Sequence, residues 1–322
     1  MHTTEMTTAT NDLVIPLGTR DDGSPIRISQ SRASSVAILG GAGSGKSVLL
    51  AQIIRATLRQ GAEVLVADAV TDPDLRKLAP ELTHYSAEFD AALHRTIGYT
   101  LCELERRQSH PDEKNAPLLL VLHEVPTWLH GLTQGSSEDR AAAETTLARI
   151  HRVAAQGRAS GVHLLTVGQL APAAVFGGQW RSNTGTVAVL GKPMEHQLRT
   201  LFPAAEQDDV RALSSQIGRG ERARGIVLDT HAAGGVDLFR TPGPAGDAEP
   251  VQAPKQARIG WKFPIDDEDG ADGSWQRWTP VSTPSSDSLP VVPLDGSDAA
   301  VFDPVSPEYR PGVPLHRTRL HN

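Results

Sequence analysis

Gly40-Gly41-Ala42-Gly43-Ser44-Gly45-Lys46-Ser47 fits the pattern G-x-x-x-x-G-K-[ST]. In this pattern glycines let the backbone wrap closely enough for successive N–H groups to point at phosphate oxygens. The N-terminus of the following helix adds a favourable dipole. Lys46 is then the cation that reaches the β- and γ-phosphates of a nucleotide, and the Ser47 hydroxyl is a ligand for Mg2+. Polar residues also close two apolar runs: His123-Glu124 follows Leu118 to Leu122, and Gln169 follows Val162 to Gly168.

These groups need a scaffold that brings them to one edge. Ser35-Val36-Ala37-Ile38 before the glycine loop predicts a buried strand. Val48, Leu49, Leu50, Ile53, Ile54 and Leu58 after it predict a helix with one apolar stripe, ended by Gly61. Short apolar runs at Glu63–Asp68, 118–122, 162–169 and 185–190 read as parallel strands covered on both faces. Helical periodicity fills 87–109 and 139–157, and shorter helices fit 195–202 and 207–216. Residues 13–18 and 25–28 predict a β-hairpin, and 224–228 and 236–239 two closing antiparallel strands. The alternation, with the glycine loop at a strand–helix junction, implies an α/β fold of P-loop type: a mostly parallel central sheet, helices on both faces and an N-terminal hairpin. Ligands bind such sheets at the carboxyl ends of the strands, where Ser47, Glu124 and Gln169 all fall.

Composition narrows the classes. A net charge of −7 argues against a chain that coats nucleic acid with its whole surface, though it leaves room for a local basic groove. Apolar runs are far too short to cross a bilayer and the N-terminus has no signal-like pattern, so the expected location is cytoplasmic. The single Cys102 excludes an internal disulfide framework and reads as a small core residue. Residues 1–11 read as a flexible arm and 12–240 as the folded domain. Residues 241–322 read as a Pro/Gly/Asp-rich, largely disordered tail with twelve acids against seven Lys and Arg. Trp261, Trp275 and Trp278 cluster around Asp266-Asp267-Glu268-Asp269 within that tail. Two readings stay open: a strap across the domain's own surface, or a motif docking another protein.

The succession Ile15-Pro16-Leu17-Gly18, Gly40 to Ser47, His123-Glu124, Gly157-Arg158-Ala159-Ser160-Gly161-Val162-His163-Leu164 and Gly168-Gln169 resembles the motor domain of the FtsK/SpoIIIE translocases over about residues 13 to 240. Single-domain relatives in that family serve conjugative plasmid transfer in actinobacteria. The resemblance implies a P-loop NTPase fold of RecA-like type and an ATPase that takes ATP and Mg2+, assembles with itself as a hexamer and pumps double-stranded DNA. Membrane spans and a winged helix known in the family have no counterpart here, so a membrane-anchored partner is a further expectation. Carried onto this chain, Lys46 and Ser47 bind phosphate and Mg2+, Glu124 polarises the attacking water and Gln169 senses the γ-phosphate. Arg158 is the cation offered to the next subunit's nucleotide, with Arg181 as second choice. Where the family has Asp-Glu, this chain has His123-Glu124. A neutral imidazole supplies no charge beside Mg2+, which predicts weaker metal positioning and slower turnover. Two other readings remain: a type VII secretion-like ATPase acting on protein, and a nucleotide-binding scaffold with weak hydrolysis. His163 is expected to pack.

Overall fold

The computed structural model describes residues 12–32, 35–87, 90–229 and 235–243, together with three short strands in the tail. Ten strands form one sheet: β1 (Val14–Thr19), β2 (Pro25–Ser29), β3 (Ser35–Gly40), β4 (Glu63–Asp68), β5 (His84–Ser86), β6 (Leu118–His123), β7 (Val162–Gly168), β8 (Thr186–Leu190), β9 (Arg224–Asp229) and β10 (Val236–Arg240). Their spatial order is β2-β1-β10-β9-β8-β3-β7-β6-β4-β5. The six strands from β8 to β5 run parallel, and the four from β9 to β2 continue antiparallel. This is the RecA-like P-loop arrangement, with β7 lying between the strand that enters the glycine loop and the strand that ends at Glu124.

The nine α-helices among the described residues are α1 (Lys46–Arg59), α2 (Pro73–Leu78), α3 (Asp90–Ser109), α4 (Val125–Thr133), α5 (Ser137–Gln156), α6 (Ala173–Phe176), α7 (Gln179–Asn183), α8 (Glu195–Leu201) and α9 (Gln207–Ser214). One core unites α1 and α2 with one sheet face, through Leu49, Ile53, Val36, Val66 and Val121. The other places α3, α4, α5 and α9 on the opposite face, through Ile97, Leu129, Ile150, Leu120 and Val210. β3, β6 and β7 are buried along their whole length, which is why they read as continuous apolar runs rather than alternating ones.

The N-terminal hairpin sits at the sheet's far edge, joined to the body through β10. Gly18 makes that junction: a Cβ there would stand 2.0 Å from the Arg240 carbonyl oxygen. In the tail, Gly260–Lys262 pairs antiparallel with both Thr279–Val281 and Val291–Pro293. The expected N-terminal arm, the acidic run, Trp275 and Trp278 lie outside the described residues.

Candidate nucleotide site

β3 and α1 are joined by the glycine loop, and the loop's geometry follows from its residues. Gly43 and Gly45 have φ of 71° and 102°, the left-handed region that side chains disfavour. Gly40 is excluded from bearing a side chain for another reason: a Cβ would lie 2.8 Å from both the Leu190 carbonyl and Ser44 Oγ. No side chain caps the N-terminus of α1 and no acid stands in its first turn, so its unpaired N–H groups are left for an anion. The buried Ser44 hydroxyl lacks a protein partner as well. Lys46 Nζ donates to the carbonyls of Gly40 (2.7 Å) and Gly41 (3.0 Å), folded back along the loop that it would leave to meet a phosphate. Burial lowers the Lys46 pKa, while the charges of Glu124 and Asp72 oppose that shift. These donors, uncapped amides and the loop cation fit a nucleotide's phosphates.

Glu124 follows β6 directly and takes φ 55°, ψ 8°, a left-handed conformation rare for a side chain of its size. Its backbone N–H still donates to Val167 O at 2.8 Å, and the twist turns its carboxylate toward β7. There Oε2 accepts from the Gln169 backbone N–H at 3.2 Å and the Thr127 hydroxyl at 3.3 Å. Gln169 is itself exposed, and its carbonyl accepts from Gln197 Nε2. Lys46, Ser47, Glu124 and Gln169 thus share the carboxyl edge of the parallel strands.

His123 is turned to its parallel neighbour in β4, not to the glycine loop. Its Nδ1 lies 2.9 Å from Asp68 Oδ1. A carboxylate can only accept, so Nδ1 carries the proton. Asp68 also accepts from the N–H groups of Val70 and Asp72 and from the Tyr85 hydroxyl. Burial works against its charge, but the bonds from His123, Tyr85 and Asp72 outweigh it and keep its pKa below the usual value. Burial and the same Asp68 bond push the Tyr85 phenol up. The carboxylate within reach of Ser47 is Asp72, whose Oδ2 accepts from Ser47 Oγ at 3.0 Å. The Ser47 hydroxyl with Asp72 and Glu124 nearby is an oxygen donor set suited to Mg2+.

Arg158 and Arg181 are not part of this constellation. Arg158 is exposed in a short turn, Arg158–Ser160, before β7, and Arg181 is exposed in α7 before β8. Both precede strands parallel to β3, so they stand at the sheet's opposite edge. Arg181 lines a recess of about 1040 Å³ with Leu147 and His151, remote from the glycine loop.

Two cavities flank the loop. One, of about 420 Å³, lies between Lys46, Ser47 and Val48 on one side and Arg222, Ala223 and Thr241 on the other. Val48, placed on the apolar stripe of α1 by periodicity, is exposed here. The second, of about 640 Å³, has Lys192, Arg219 and Arg222 at its rim. The loop is tied to this wall by the Ala223 N–H, which donates to Ser44 O, and Thr241 N–H donates to Ala223 O at 2.7 Å. Thr71, Glu124 and Ala223 are the non-glycine residues with positive φ among the described residues, and all three border the glycine loop or its neighbouring carboxylates. Backbone strain gathered around one spot marks a site whose geometry the surrounding fold imposes.

Comparison with known proteins agrees with this fold. The family model of the helicase HerA central domain matches residues 15–72. In that segment and in its fold the chain resembles HerA/FtsK-type P-loop ATPases. A structure of the pCW3 conjugation coupling protein TcpA with ATPγS is similar at TM-score 0.58 and 19% identity, covering 71% of this chain and 65% of that one. The cytoplasmic domain of the type VII secretion ATPase EccC from Thermomonospora curvata is similar at TM-score 0.57 and 17% identity, covering 79% and 33%. EccC ATPases 2 and 3 with a signal sequence peptide give 0.55 and 20%, covering 78% and 47%. The chain thus spans less than two thirds of each of these proteins. No curated protein matches it in sequence.

Sequence reasoning missed Asp68, Asp72, Tyr85 and the wall made by Arg222, Ala223 and Thr241 to Gly243. A signal for Asp72 existed: Asp72-Pro73 is a helix-start pair, and Asp72 Oδ1 does cap α2 through the N–H groups of Asp74 and Leu75. The wall had none, because it comes from a segment more than 170 residues beyond the glycine loop.

Proposed function

We propose that the protein is an ATP-driven motor that hydrolyses ATP in a ring of its own copies and moves double-stranded DNA, in the manner of plasmid-transfer ATPases. The observation that carries the catalytic half is the meeting of the uncapped glycine loop and Lys46 with Glu124, which backbone strain and the Gln169 N–H hold at the same edge.

In the proposed reaction the loop N–H groups and Lys46 bind the β- and γ-phosphates, and the Ser47 hydroxyl orients toward the same oxygens. Bound Mg2+ would add positive charge at those oxygens. Glu124 accepts a hydrogen bond from water, aligns it with the γ-phosphorus and draws off its proton as the bond to phosphorus forms and the bond from phosphorus to the β–γ bridging oxygen breaks, leaving ADP and inorganic phosphate. Gln169, directly after the strand between those that carry the loop and Glu124, registers whether a γ-phosphate is present. Lys192, Arg219 and Arg222 lend positive potential from within the same subunit. Arg158, at the opposite edge, serves a neighbour's nucleotide in a head-to-tail ring, where such a cation accelerates transfer by several powers of ten.

TcpA is named as a conjugation coupling protein, which supports DNA as the cargo. EccC, named for type VII secretion and solved with a signal sequence peptide, supports a second reading in which the cargo is protein. One experiment separates these readings: ATP turnover by the full chain with and without duplex DNA, alongside nucleotide binding and light scattering with a non-hydrolysable analogue. Duplex DNA should raise turnover severalfold and the analogue should promote a hexamer. Lys46→Ala should reduce nucleotide affinity at least about a hundredfold, losing charge-assisted bonds to phosphate. Indifference to DNA would remove DNA as the cargo, and unchanged affinity in Lys46→Ala would remove the site assignment.

A further inference from the structure

Every P-loop site that holds Mg2+ through a Ser or Thr hydroxyl needs negative charge beside that hydroxyl, and His123 does not supply it. We propose that Asp72 takes this role: it reaches the loop from the end of β4, orients Ser47 and positions the metal and its bound water. The inference rests on the ATP-binding reading above.

Three observations carry it. First, the Asp72 carboxylate is divided: Oδ1 caps α2, while Oδ2 accepts from Ser47 Oγ at 3.0 Å. A residue needed only as a cap has no reason to engage the metal-binding hydroxyl. Second, Asp72 is carried on a loop whose shape is enforced. Thr71 is held at φ 53°, and the four bonds accepted by Asp68 include those from the N–H groups of Val70 and Asp72. Third, His123 serves this arrangement indirectly. Its Nδ1–H fixes Asp68 Oδ1, and Asp68 Oδ2 takes the Asp72 N–H at 2.6 Å. The sequence departure at position 123 and the acid beside Ser47 are thus two ends of one chain of contacts: His123, Asp68, Asp72, Ser47. Asp72 is a positioning residue, acting through Ser47 and metal-bound water rather than on the phosphate.

The test is the Mg2+ dependence of nucleotide affinity, read with a fluorescent ATP analogue from EDTA to millimolar Mg2+ on the full chain. The variants are Asp72→Asn, which keeps size and a capping oxygen, and Asp72→Ser, which keeps a strong N-cap without a carboxylate. In both, the Mg2+ concentration giving half the metal-dependent gain in affinity should rise about tenfold or more. Affinity in EDTA should stay the same or improve, because a negative charge has left the neighbourhood of the phosphates. A wild-type Mg2+ response in Asp72→Asn and Asp72→Ser would overturn the role, and so would an equal weakening at every Mg2+ concentration together with a lower melting temperature, which a cap alone would produce. If the wild-type chain bound no nucleotide, the underlying reading would fall. If it bound nucleotide with a Mg2+ response that the variants shared, only the role of Asp72 would fall.

Discussion

Position 123 shows how one residue can carry two opposite expectations. From sequence, His123 stands where an acid is wanted, so His123→Asp should restore metal binding and speed turnover. In the structure the ring is buried and bonded to Asp68, which is itself fully buried. An aspartate at 123 would face a second carboxylate with no donor between them, and one of the two would have to take up a proton or turn away. We therefore expect His123→Asp to lower the melting temperature and to leave ATP turnover below wild type across a Mg2+ titration. His123→Asn can offer its side-chain N–H to Asp68 and should retain most of both. The outcome that contradicts this is faster turnover in His123→Asp than in His123→Asn, measured in one assay series. His163 illustrates the plainer case. It sits in β7 with both ring nitrogens unpartnered, burial first and the charge of Arg107 second hold its pKa down at about 4, and it packs, as expected.

At the scale of elements, the Gly157 to Gly161 block is explained mostly by backbone geometry. A Cβ on Gly157 would lie 2.1 Å from Val162 O, and Gly161 has φ 65°. The turn between them is gripped from below by Arg107 in α3, whose Nη1 donates to the carbonyls of Ala116, Ser160 and Gly161. Arg107 is buried and paired with Glu103 at 2.8 Å. Within this block Arg158 is the long side chain left exposed. If the grip on the turn is what aims Arg158, Arg107→Met should cost about 1–3 kcal/mol of stability by removing the donor to the turn's carbonyls, Glu103 keeping Arg106 as its partner. It should also slow turnover in the assembled state while leaving nucleotide affinity intact; a loss of affinity equal to the loss of rate would contradict it. The strands and long helices of this fold were legible because burial on both faces leaves continuous apolar runs and burial on one leaves a helical stripe. α2, α4 and β5 were not. They are short, and α4 begins with Val125-Pro126 directly after a strand, so no periodicity has room to develop. Lys46, Ser47 and Glu124 could be found by motif and strand end. Asp72 and Ala223 join them only through tertiary contacts that no local pattern encodes.

At the scale of the molecule, the three residues after 240 pack against the folded body. Thr241 is buried, Thr241 to Gly243 line the cavity beside Lys46, and Gln52 in α1 donates to the Gly243 carbonyl. A chain ending at residue 243 should therefore keep its melting temperature within a few degrees of the full chain and bind nucleotide equally well. A chain ending at residue 240 should bind severalfold more weakly. Equal binding by both would show that these three residues are not part of the site. The cavity wall has a further consequence for how the protein is made. The glycine loop is translated before the Ala223 and Thr241 segments whose contacts brace it, and the Thr19 to Arg240 pairing that anchors the hairpin likewise waits for the end of the sheet. Contacts spanning such long stretches of chain form slowly, because the intervening loop must close first. A nascent chain on the ribosome would thus display the loop without a finished pocket, and would acquire its full affinity for nucleotide only after Gly243 has cleared the exit tunnel.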